Sequence, residues 1–343
     1  MNILYGVSGV GFGHASRALL IANYLRKKGH KIKILTYGDG YEKLKNDFDC
    51  IKIDGLEIVF EGGKIKKIKT LKQNIKIISK NIMKRKNFSG LIKSFHPDLC
   101  ISDMEAIVSI LSKWYKIPLV SIDNQHAITN LKIKFPIRFF KDYVISKQVI
   151  KSIVKKADVF IISSFAKLPL KKKNTIIISP IVREEIIKLK PKYGNKILVY
   201  ISRGDENFLS ELKNIKEKFV VYGFNIKKKD GNLEFKTREN FEKDLGNCKF
   251  IIATSGFSLI SEALYLKKPY LAIPIRGHFE QMFNALLLRK SGFGDFVEEL
   301  SGKAVINFMG NLDFYRKNLK KYNINQKKLL EIVDKTVERV GKK

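Results

Sequence analysis

Short apolar runs alternate with helix-length amphipathic segments along most of the chain. Runs rich in Val and Ile are typical of buried strands, and the longer segments between them carry the one-sided apolar spacing of helices. Such alternation predicts βαβ units and parallel sheets. The predicted strands cover residues 3–7, 31–36, 99–102, 119–122 and 159–163, followed by 176–179, 197–202, 219–222, 250–253 and 270–273.

The strand pattern begins twice, which predicts an α/β fold with two Rossmann-like domains of similar size. A short basic stretch at 171–173 separates the two series. We predict an N-terminal domain over 1–168 and a C-terminal domain over 174–325. A last amphipathic helix is predicted within 326–343, and it can pack on either domain.

Composition places the chain among globular proteins. Of its 343 residues, 45% are hydrophobic and 29% charged, which excludes wholesale disorder. No apolar run approaches the ~20 residues of a membrane-spanning helix. The first residues enter a strand-like run without a basic leader, so a secretory signal is not expected. The three cysteines form no CxxC pair, and we therefore expect a reducing cytoplasm.

The net charge is unusual, because 66 Lys and Arg stand against 33 Asp and Glu, which leaves +33. Such a surface attracts nucleic acid, anionic lipid or phosphorylated metabolites. A genome-wide bias toward Lys and Ile, or a hot habitat, would produce the same excess. The sequence contains no signature of an RNA- or DNA-binding module, so nucleic acid is not expected as a partner.

A glycine-rich turn at 6–14 joins the first predicted strand to the first helix. Glycines allow close approach to the backbone, and free N–H groups at a helix start attract anions. The turn is no dinucleotide fingerprint, because His14 occupies the third glycine position of GxGxxG, and it lacks the GK[ST] of a P-loop. His14 is either a general base or a residue with only local hydrogen bonds.

The densest chemical signal follows the strand predicted at 250–253. Three small residues form a turn that opens a helix: Ser255, Gly256 and Ser258. Their hydroxyls and N–H groups make a seat for an anion. Glu262 lies one turn further on the same helix face, placed to accept hydrogen bonds from two ribose hydroxyls. Glu280 and Gln281 follow the next strand, toward the sheet edge where α/β proteins bind ligands.

Motifs at both ends of the chain carry a family resemblance. The front motif is Gly11-Phe12-Gly13-His14. The back motif combines residues 255–263 with Lys268-Pro269, Ile273-Pro274, Glu280-Gln281 and Asn284-Ala285. With these motifs the chain resembles the inverting nucleotide-sugar glycosyltransferases of the GT-B fold, near the peptidoglycan N-acetylglucosaminyl transferase, the plastid galactolipid synthases and the glucuronosyltransferases.

The resemblance implies two Rossmann-like domains facing across a cleft, with the acceptor on the N-terminal domain and the donor on the C-terminal one. It implies donor contacts to the ribose at Glu262, to the diphosphate at Ser255, Gly256 and Ser258, and to the sugar at Glu280 and Gln281. It implies acceptor contacts at Gly11 and Gly13, with His14 as the base or an acceptor contact. No cofactor and no metal are expected, because N–H groups and basic side chains take the charge of the leaving diphosphate.

Two features refine the resemblance. Retaining enzymes of this fold typically carry a glutamate eight residues before the equivalent of Glu262, and Thr254 stands there, which favours inversion. The turn at 202–205 departs from the family's glycine-rich form. Arg203 within it either reaches the diphosphate or is a solvated loop charge. The base-recognition loop matches no residues here, so the nucleobase stays open, with uridine expected.

Polar residues also follow two strands of the N-terminal half. Asp103 comes directly after the strand at 99–102, and His126 stands shortly after the strand at 119–122. Both open onto the same sheet edge. Asp103 orients His14, binds the acceptor or caps a helix. His126 is either an acceptor contact or a turn residue.

Two basic amphipathic segments, 64–86 and 132–156, lie in the predicted acceptor domain. They are either core-facing helices with solvated lysines or a docking surface for an anionic membrane, where each basic residue contributes ~1 kcal/mol. Docking would suit a lipid-linked acceptor and a cytoplasmic protein held peripherally at the inner face of the cell membrane.

Three functions remain open on the sequence. The first is an inverting glycosyltransferase that uses an NDP-sugar, UDP-linked, and a hydroxyl acceptor. The alternative is a non-hydrolysing NDP-sugar epimerase of the same fold. The third is a binding protein without catalysis, in which the basic surface dominates.

Overall fold

The computed structural model describes residues 1–56, 60–61, 64–65, 67–83, 85–201 and 207–342. Arg203 and the turn around it lie outside the described residues, as does part of the basic segment 64–86. The chain divides into two compact units. The first contains Met1–Glu61, Ile65–Ile181 and the C-terminal segment from Asn325, and the second contains Val182–Ile324.

The first unit is built on a seven-stranded parallel sheet in the order β3-β2-β1-β6-β7-β8-β9, and β4 pairs with β5 separately. Its strands are β1 (Asn2–Val7), β2 (Lys31–Thr36), β3 (Asp49–Lys52), β4 (Phe60–Glu61), β5 (Lys64–Ile65), β6 (Leu99–Asp103), β7 (Leu119–Asp123), β8 (Val159–Ser163) and β9 (Thr175–Ile178). The central strands are fully buried, as their apolar runs predict.

The first unit's helices connect these strands. They are α1 (Phe12–Lys27), α2 (Gly38–Leu44), α3 (Lys67–Met83), α4 (Arg85–Phe95), α5 (Ala106–Tyr115), α6 (Ala127–Asn130) and α7 (Phe140–Ile153), with a 3₁₀ turn at Ile137–Phe139. Helix α1 begins at Phe12, whereas the apolar spacing predicts a start at 17. Gly11 precedes it with a φ of 74°, a conformation that suits glycine. His14 therefore lies in the first turn of a helix.

The second unit also has a seven-stranded sheet, in the order β12-β13-β11-β10-β14-β15-β16. All its pairs are parallel except β12 with β13. Its strands are β10 (Lys196–Tyr200), β11 (Lys218–Tyr222), β12 (Lys228–Asp230), β13 (Leu233–Phe235), β14 (Ile251–Ala253), β15 (Tyr270–Ala272) and β16 (Gly294–Phe296). Its helices are α8 (Glu184–Ile187), α9 (Asn207–Lys213), α10 (Phe241–Asn247), α11 (Phe257–Tyr265), α12 (Phe279–Lys290), α13 (Gly302–Gly310) and α14 (Leu312–Lys320), with a 3₁₀ turn at Arg238–Asn240.

The division between the units lies later in the chain than the sequence predicts. Strand β9 was expected to open the second domain, but it pairs with β8 and completes the first sheet. Which strand lies beside it depends on distant residues, so a local pattern does not reveal it. The first unit consequently runs to Ile181 rather than to 168.

The C-terminal helix α15 (Gln326–Gly341) belongs to the first unit. Its buried apolar stripe consists of Leu329, Val333, Val337 and Val340. This settles the placement that the amphipathic pattern left open. Among the described residues, no helix combines the length and the apolar character that crossing a bilayer requires.

Candidate functional site

In the first unit, the candidate site lies where the chain order in the sheet reverses. Strand β1 lies between β2 and β6, and Val7 at its end is in register with Asp103. Such a reversal leaves an open crevice at the carboxyl edge of a sheet. The glycine turn begins here, and Gly9 allows a contact that a side chain would block, because an added Cβ would lie 1.8 Å from the Tyr37 carbonyl oxygen.

His14 and Asp103 meet at this edge. The Nδ1 atom of His14 lies 2.7 Å from Oδ1 of Asp103, whose side chain is fully buried, while 14% of the His14 side chain is exposed. A carboxylate only accepts hydrogen bonds, so Nδ1 carries the proton and Nε2 is the basic nitrogen. The Nε2 atom lies 3.5 Å from the side-chain nitrogen of Gln125. The arrangement holds the imidazole in the form that accepts a proton.

Arg17 completes this cluster and was missed by the sequence analysis. Its Nε donates to Oδ2 of Asp103 at 2.8 Å and its Nη2 to Oδ1 at 2.6 Å, and Nη1 reaches Oδ1 of Asn124 at 3.3 Å. Burial alone would lower the pKa of Arg17, but the charge and hydrogen bonds of Asp103 raise it above its ordinary value. The spacing of three from His14 on a helix was the available signal, since such residues share a face.

The helix after β6 is capped by Glu105, not by Asp103. The Glu105 carboxylate accepts hydrogen bonds from the N–H groups of Ile107 and Val108, both at 2.7 Å. Burial raises the pKa of Glu105 to about 7, although these N–H groups act in the opposite direction. Asp103 is thereby left to pair with His14 and Arg17, which removes the helix-cap alternative.

His126 is not placed as an acceptor contact, and this expectation needs correction. Its side chain is 2% exposed; Nδ1 lies 2.7 Å from Oδ2 of Asp123, and Nε2 lies 3.1 Å from the Val154 carbonyl oxygen. Burial would raise the pKa of Asp123, yet the charge and hydrogen bonds of His126 hold it below its ordinary value. Because both ring nitrogens are occupied by protein acceptors, we assign His126 a structural role.

In the second unit, the candidate donor site lies at the end of β14. Gly256 precedes α11, and a Cβ added to it would meet nothing within 4 Å. Ser255 is fully buried, and its Oγ has no hydrogen-bond partner among the described residues. Ser258 is exposed in the first turn of α11. The N-terminus of α11, the unpartnered Ser255 hydroxyl and the open space beside Gly256 together suit an anion.

Glu262 is buried further along α11 in a two-point contact with Arg183. The Nε atom of Arg183 donates to Oε1 at 2.6 Å, and Nη2 donates to Oε2 at 3.0 Å. Arg183 also donates to Glu242 through Nη1 at 3.1 Å. Burial would lower the pKa of Arg183, but these two carboxylates raise it. Arg183 is not among the predicted site residues, because a lone arginine after a predicted strand gives no signal.

Glu280 and Gln281 begin α12, and both are partly buried. The Gln281 Oε1 accepts a hydrogen bond from the Ile275 N–H at 3.0 Å, which ties α12 to the turn after β15. Asn284, one turn further along α12, donates to the Ser255 carbonyl oxygen at 3.1 Å. These bonds connect the predicted sugar and diphosphate residues within one unit.

Comparison with known proteins assigns this chain to a family. Residues 1–313 match the family described as "Glycosyl transferase family 1". The chain belongs to glycosyl transferase family 1. An uncharacterized glycosyltransferase of Methanosarcina acetivorans is 24% identical over 328 residues, which cover 86% of this chain and 85% of that protein.

Solved structures support the fold of this glycosyltransferase family 1 chain. The spinosyn rhamnosyltransferase SpnG covers 98% of it at 12% identity, with all of that chain matched and a TM-score of 0.67. SpnG is also known complexed with thymidine diphosphate. A second structure is that of Phytolacca americana UGT2, complexed with UDP-2fluoro-glucose and pterostilbene. The match covers 98% of this chain and 98% of UGT2, at 11% identity and a TM-score of 0.70. These similarities confirm the predicted GT-B fold of two α/β units with largely parallel sheets.

Proposed function

We propose that this glycosyltransferase moves a sugar from a UDP-linked donor to a hydroxyl acceptor with inversion at the anomeric carbon. The observation that carries the proposal is the 2.7 Å contact between His14 and Asp103 at the N-terminus of α1. A histidine held by a carboxylate is a common general base. Family membership favours transfer over the epimerase reaction that the sequence left open.

The chemistry follows from the arrangement around His14. Its Nε2 takes the proton of the acceptor hydroxyl, and the oxygen forms a bond to the anomeric carbon from the face opposite the diphosphate. The bond from that carbon to the phosphate oxygen breaks, and the nucleoside diphosphate leaves with the electron pair. Asp103 stabilises the imidazolium, while Arg17 fixes the Asp103 carboxylate in position through two hydrogen bonds. A Cβ added to Gly11 would meet nothing within 4 Å, so Gly11 is proposed to leave space for the acceptor at the helix start, with Gly13 as a second contact.

The donor is proposed to bind the second unit without a metal. The N–H groups that open α11, with Ser255, Gly256 and Ser258, would hold the diphosphate. Glu262 would accept hydrogen bonds from the ribose hydroxyls while keeping Arg183, because a carboxylate has about four acceptor positions. Glu280 and Gln281 would contact the sugar. The nucleoside diphosphates bound to SpnG and to UGT2 support a donor of this class.

A thermal-shift screen of UDP, GDP, TDP and CDP tests the donor class. A ligand at about 100 times its Kd stabilises the folded protein by about 2.7 kcal/mol. Because the proposed donor is UDP-linked, we expect UDP to raise the melting temperature more than the other three nucleotides do. Incubation with a UDP-sugar and no acceptor should yield no epimer. An epimerised sugar would support the alternative function, and the absence of a response to any nucleotide would contradict the donor site.

Glu262→Gln is expected to weaken UDP binding about 10- to 100-fold, since hydrogen bonds to a charged group contribute about 1.5–3 kcal/mol. Isothermal titration of UDP measures this. Glu242→Gln is the matched control, because it also removes a carboxylate from Arg183 but lies outside the predicted ribose contacts. Equal losses in the two variants would assign Glu262 to the support of Arg183 alone.

We further propose that the first unit docks on an anionic membrane through the start of α7. Ile137 is 83% exposed and Phe140 is 53% exposed. Three exposed basic residues accompany them: Lys134, Arg138 and Lys141. Exposed apolar side chains among basic ones are typical of surfaces that insert into the interface of a bilayer. This placement suits a lipid-linked acceptor, because the glycine turn belongs to the same unit.

The variant Ile137→Ser/Phe140→Ser is expected to reduce binding to phosphatidylglycerol vesicles about tenfold or more, because each buried apolar side chain contributes about 1.5–3 kcal/mol. Sedimentation with vesicles measures this, and neutral phosphatidylcholine vesicles should bind weakly. The matched control is Ile306→Ser/Phe314→Ser, since both of these residues are 58% exposed in the second unit. Equal binding by the two variants would reject the docking surface.

A further inference from the structure

A second cluster of ionisable side chains lies at the opposite end of α1 from His14. His30 stands between α1 and β2, and it faces Asp334 and Glu338 on the C-terminal helix α15. The two carboxylates are four residues apart, which places them on the same face of the helix. The proposed glycosyl transfer uses none of these three residues.

The spacing of the three side chains is too wide for direct hydrogen bonds. The His30 Nε2 atom lies 3.7 Å from Oδ1 of Asp334 and 3.4 Å from Oε1 of Glu338. Hydrogen bonds between such groups are about 2.7–3.2 Å long. Two ligand atoms on a tetrahedral ion with bonds of about 2.0–2.1 Å lie about 3.4 Å apart. The two separations from His30 Nε2 are close to this spacing, and all three candidate ligand atoms lie within 4.8 Å of one another.

Two of these atoms are buried without a hydrogen-bond partner. His30 is 5% exposed. Its Nε2 and the Oδ1 of Asp334 lack hydrogen-bond partners among the described residues. Buried polar atoms without partners are rare, because each costs free energy. A cation between them would satisfy both.

Lysines lie near the outer oxygen atoms of the carboxylates. Lys28 Nζ lies 3.9 Å from Oδ2 of Asp334, and Lys342 contacts Oε2 of Glu338. The inner oxygens, Oδ1 and Oε1, are the ones that face His30. Partners of this kind orient the ligands of a metal.

We propose that His30, Asp334 and Glu338 bind one divalent first-row transition-metal ion, Zn²⁺ by ligand type, which fixes α15 to the first unit. One imidazole and two carboxylates are a ligand set that zinc accepts, and the carboxylates neutralise its charge. Water completes the coordination, since 37% of the Glu338 side chain is exposed. The site is structural, and it is independent of the proposed transfer reaction.

The test uses untagged full-length protein stripped with a chelator. Calorimetric titration is expected to show saturable binding of one Zn²⁺ per chain, with a rise in melting temperature, and Co²⁺ should give a visible absorption band. Asp334→Asn/Glu338→Gln should weaken Zn²⁺ binding at least about tenfold, and His30→Gln should abolish it. His96→Asn, at an exposed histidine of the same unit, should bind like the wild type.

Three results would overturn this proposal. The first is no saturable binding of Zn²⁺, Co²⁺, Ni²⁺ or Mn²⁺ to the wild type. The second is equal Zn²⁺ affinity in the wild type and in Asp334→Asn/Glu338→Gln. This variant keeps the proposal testable if His30→Gln does not fold. The third is a metal-free protein whose melting temperature does not change when Zn²⁺ is added, which would leave only an ion-paired histidine.

Discussion

His14→Ala is expected to lower the turnover number about 10²- to 10⁴-fold, the range typical of a lost general base. The affinity for UDP should be unchanged, because the predicted nucleotide contacts belong to the second unit. The measurement is the rate of UDP release in the presence of an acceptor that supports turnover by the wild type. The side chain is 14% exposed and bonds to Asp103, so its removal should lower the free energy of unfolding, but by less than the loss of the Asp103 charge does.

The matched control for His14→Ala is His96→Asn, which removes an exposed histidine of the same unit. It should retain wild-type turnover. A His14→Ala variant with near-wild-type turnover would exclude His14 as the base. A variant that instead lost UDP affinity would move His14 into the donor site.

Asp103→Asn is expected to lower the free energy of unfolding by about 3–5 kcal/mol, because it leaves the buried Arg17 guanidinium without its counter-charge. Urea denaturation measures this loss. Turnover should also fall, because the amide no longer holds His14 in its proton-accepting form. Among single substitutions of the cluster around His14, this one should affect stability most.

A double variant separates the charge effect from general damage. Asp103→Asn combined with Arg17→Met should recover much of the lost stability, because replacing both members of a buried pair costs far less than removing one. Asp313→Asn, whose side chain is 98% exposed, is the surface control and should change stability by less than about 0.5 kcal/mol. A loss below about 1 kcal/mol in Asp103→Asn, or no recovery in the double variant, would contradict the account.

The strands were the most predictable part of the fold. Buried parallel strands are continuous apolar runs, and the predicted strands 31–36 and 159–163 coincide with β2 and β8. The antiparallel pair of β12 and β13 was missed, because its short polar segments lack such runs. The start of α1 was also missed, since the conformation of Gly11 rather than apolar spacing determines it.

The candidate site was predictable where chemistry follows a strand directly. Asp103 and Ser255 lie where a strand end predicts a ligand edge. The carboxylate partners of Arg17 and Arg183 are 86 and 79 residues away in the chain, so the sequence offered only the helical spacing of Arg17 from His14 and no signal for Arg183. The two alternatives for His126 could not be separated on the sequence, since the Val154 carbonyl oxygen near its Nε2 is 28 residues distant.

We assign nucleotide binding to residues 255–262 and proton transfer to His14. Isothermal titration of UDP into the wild type, His14→Ala and Glu262→Gln tests this division most directly. We expect His14→Ala to bind UDP like the wild type and Glu262→Gln to bind it at least about tenfold more weakly. Wild-type affinity in Glu262→Gln, or lost affinity in His14→Ala, would contradict this assignment.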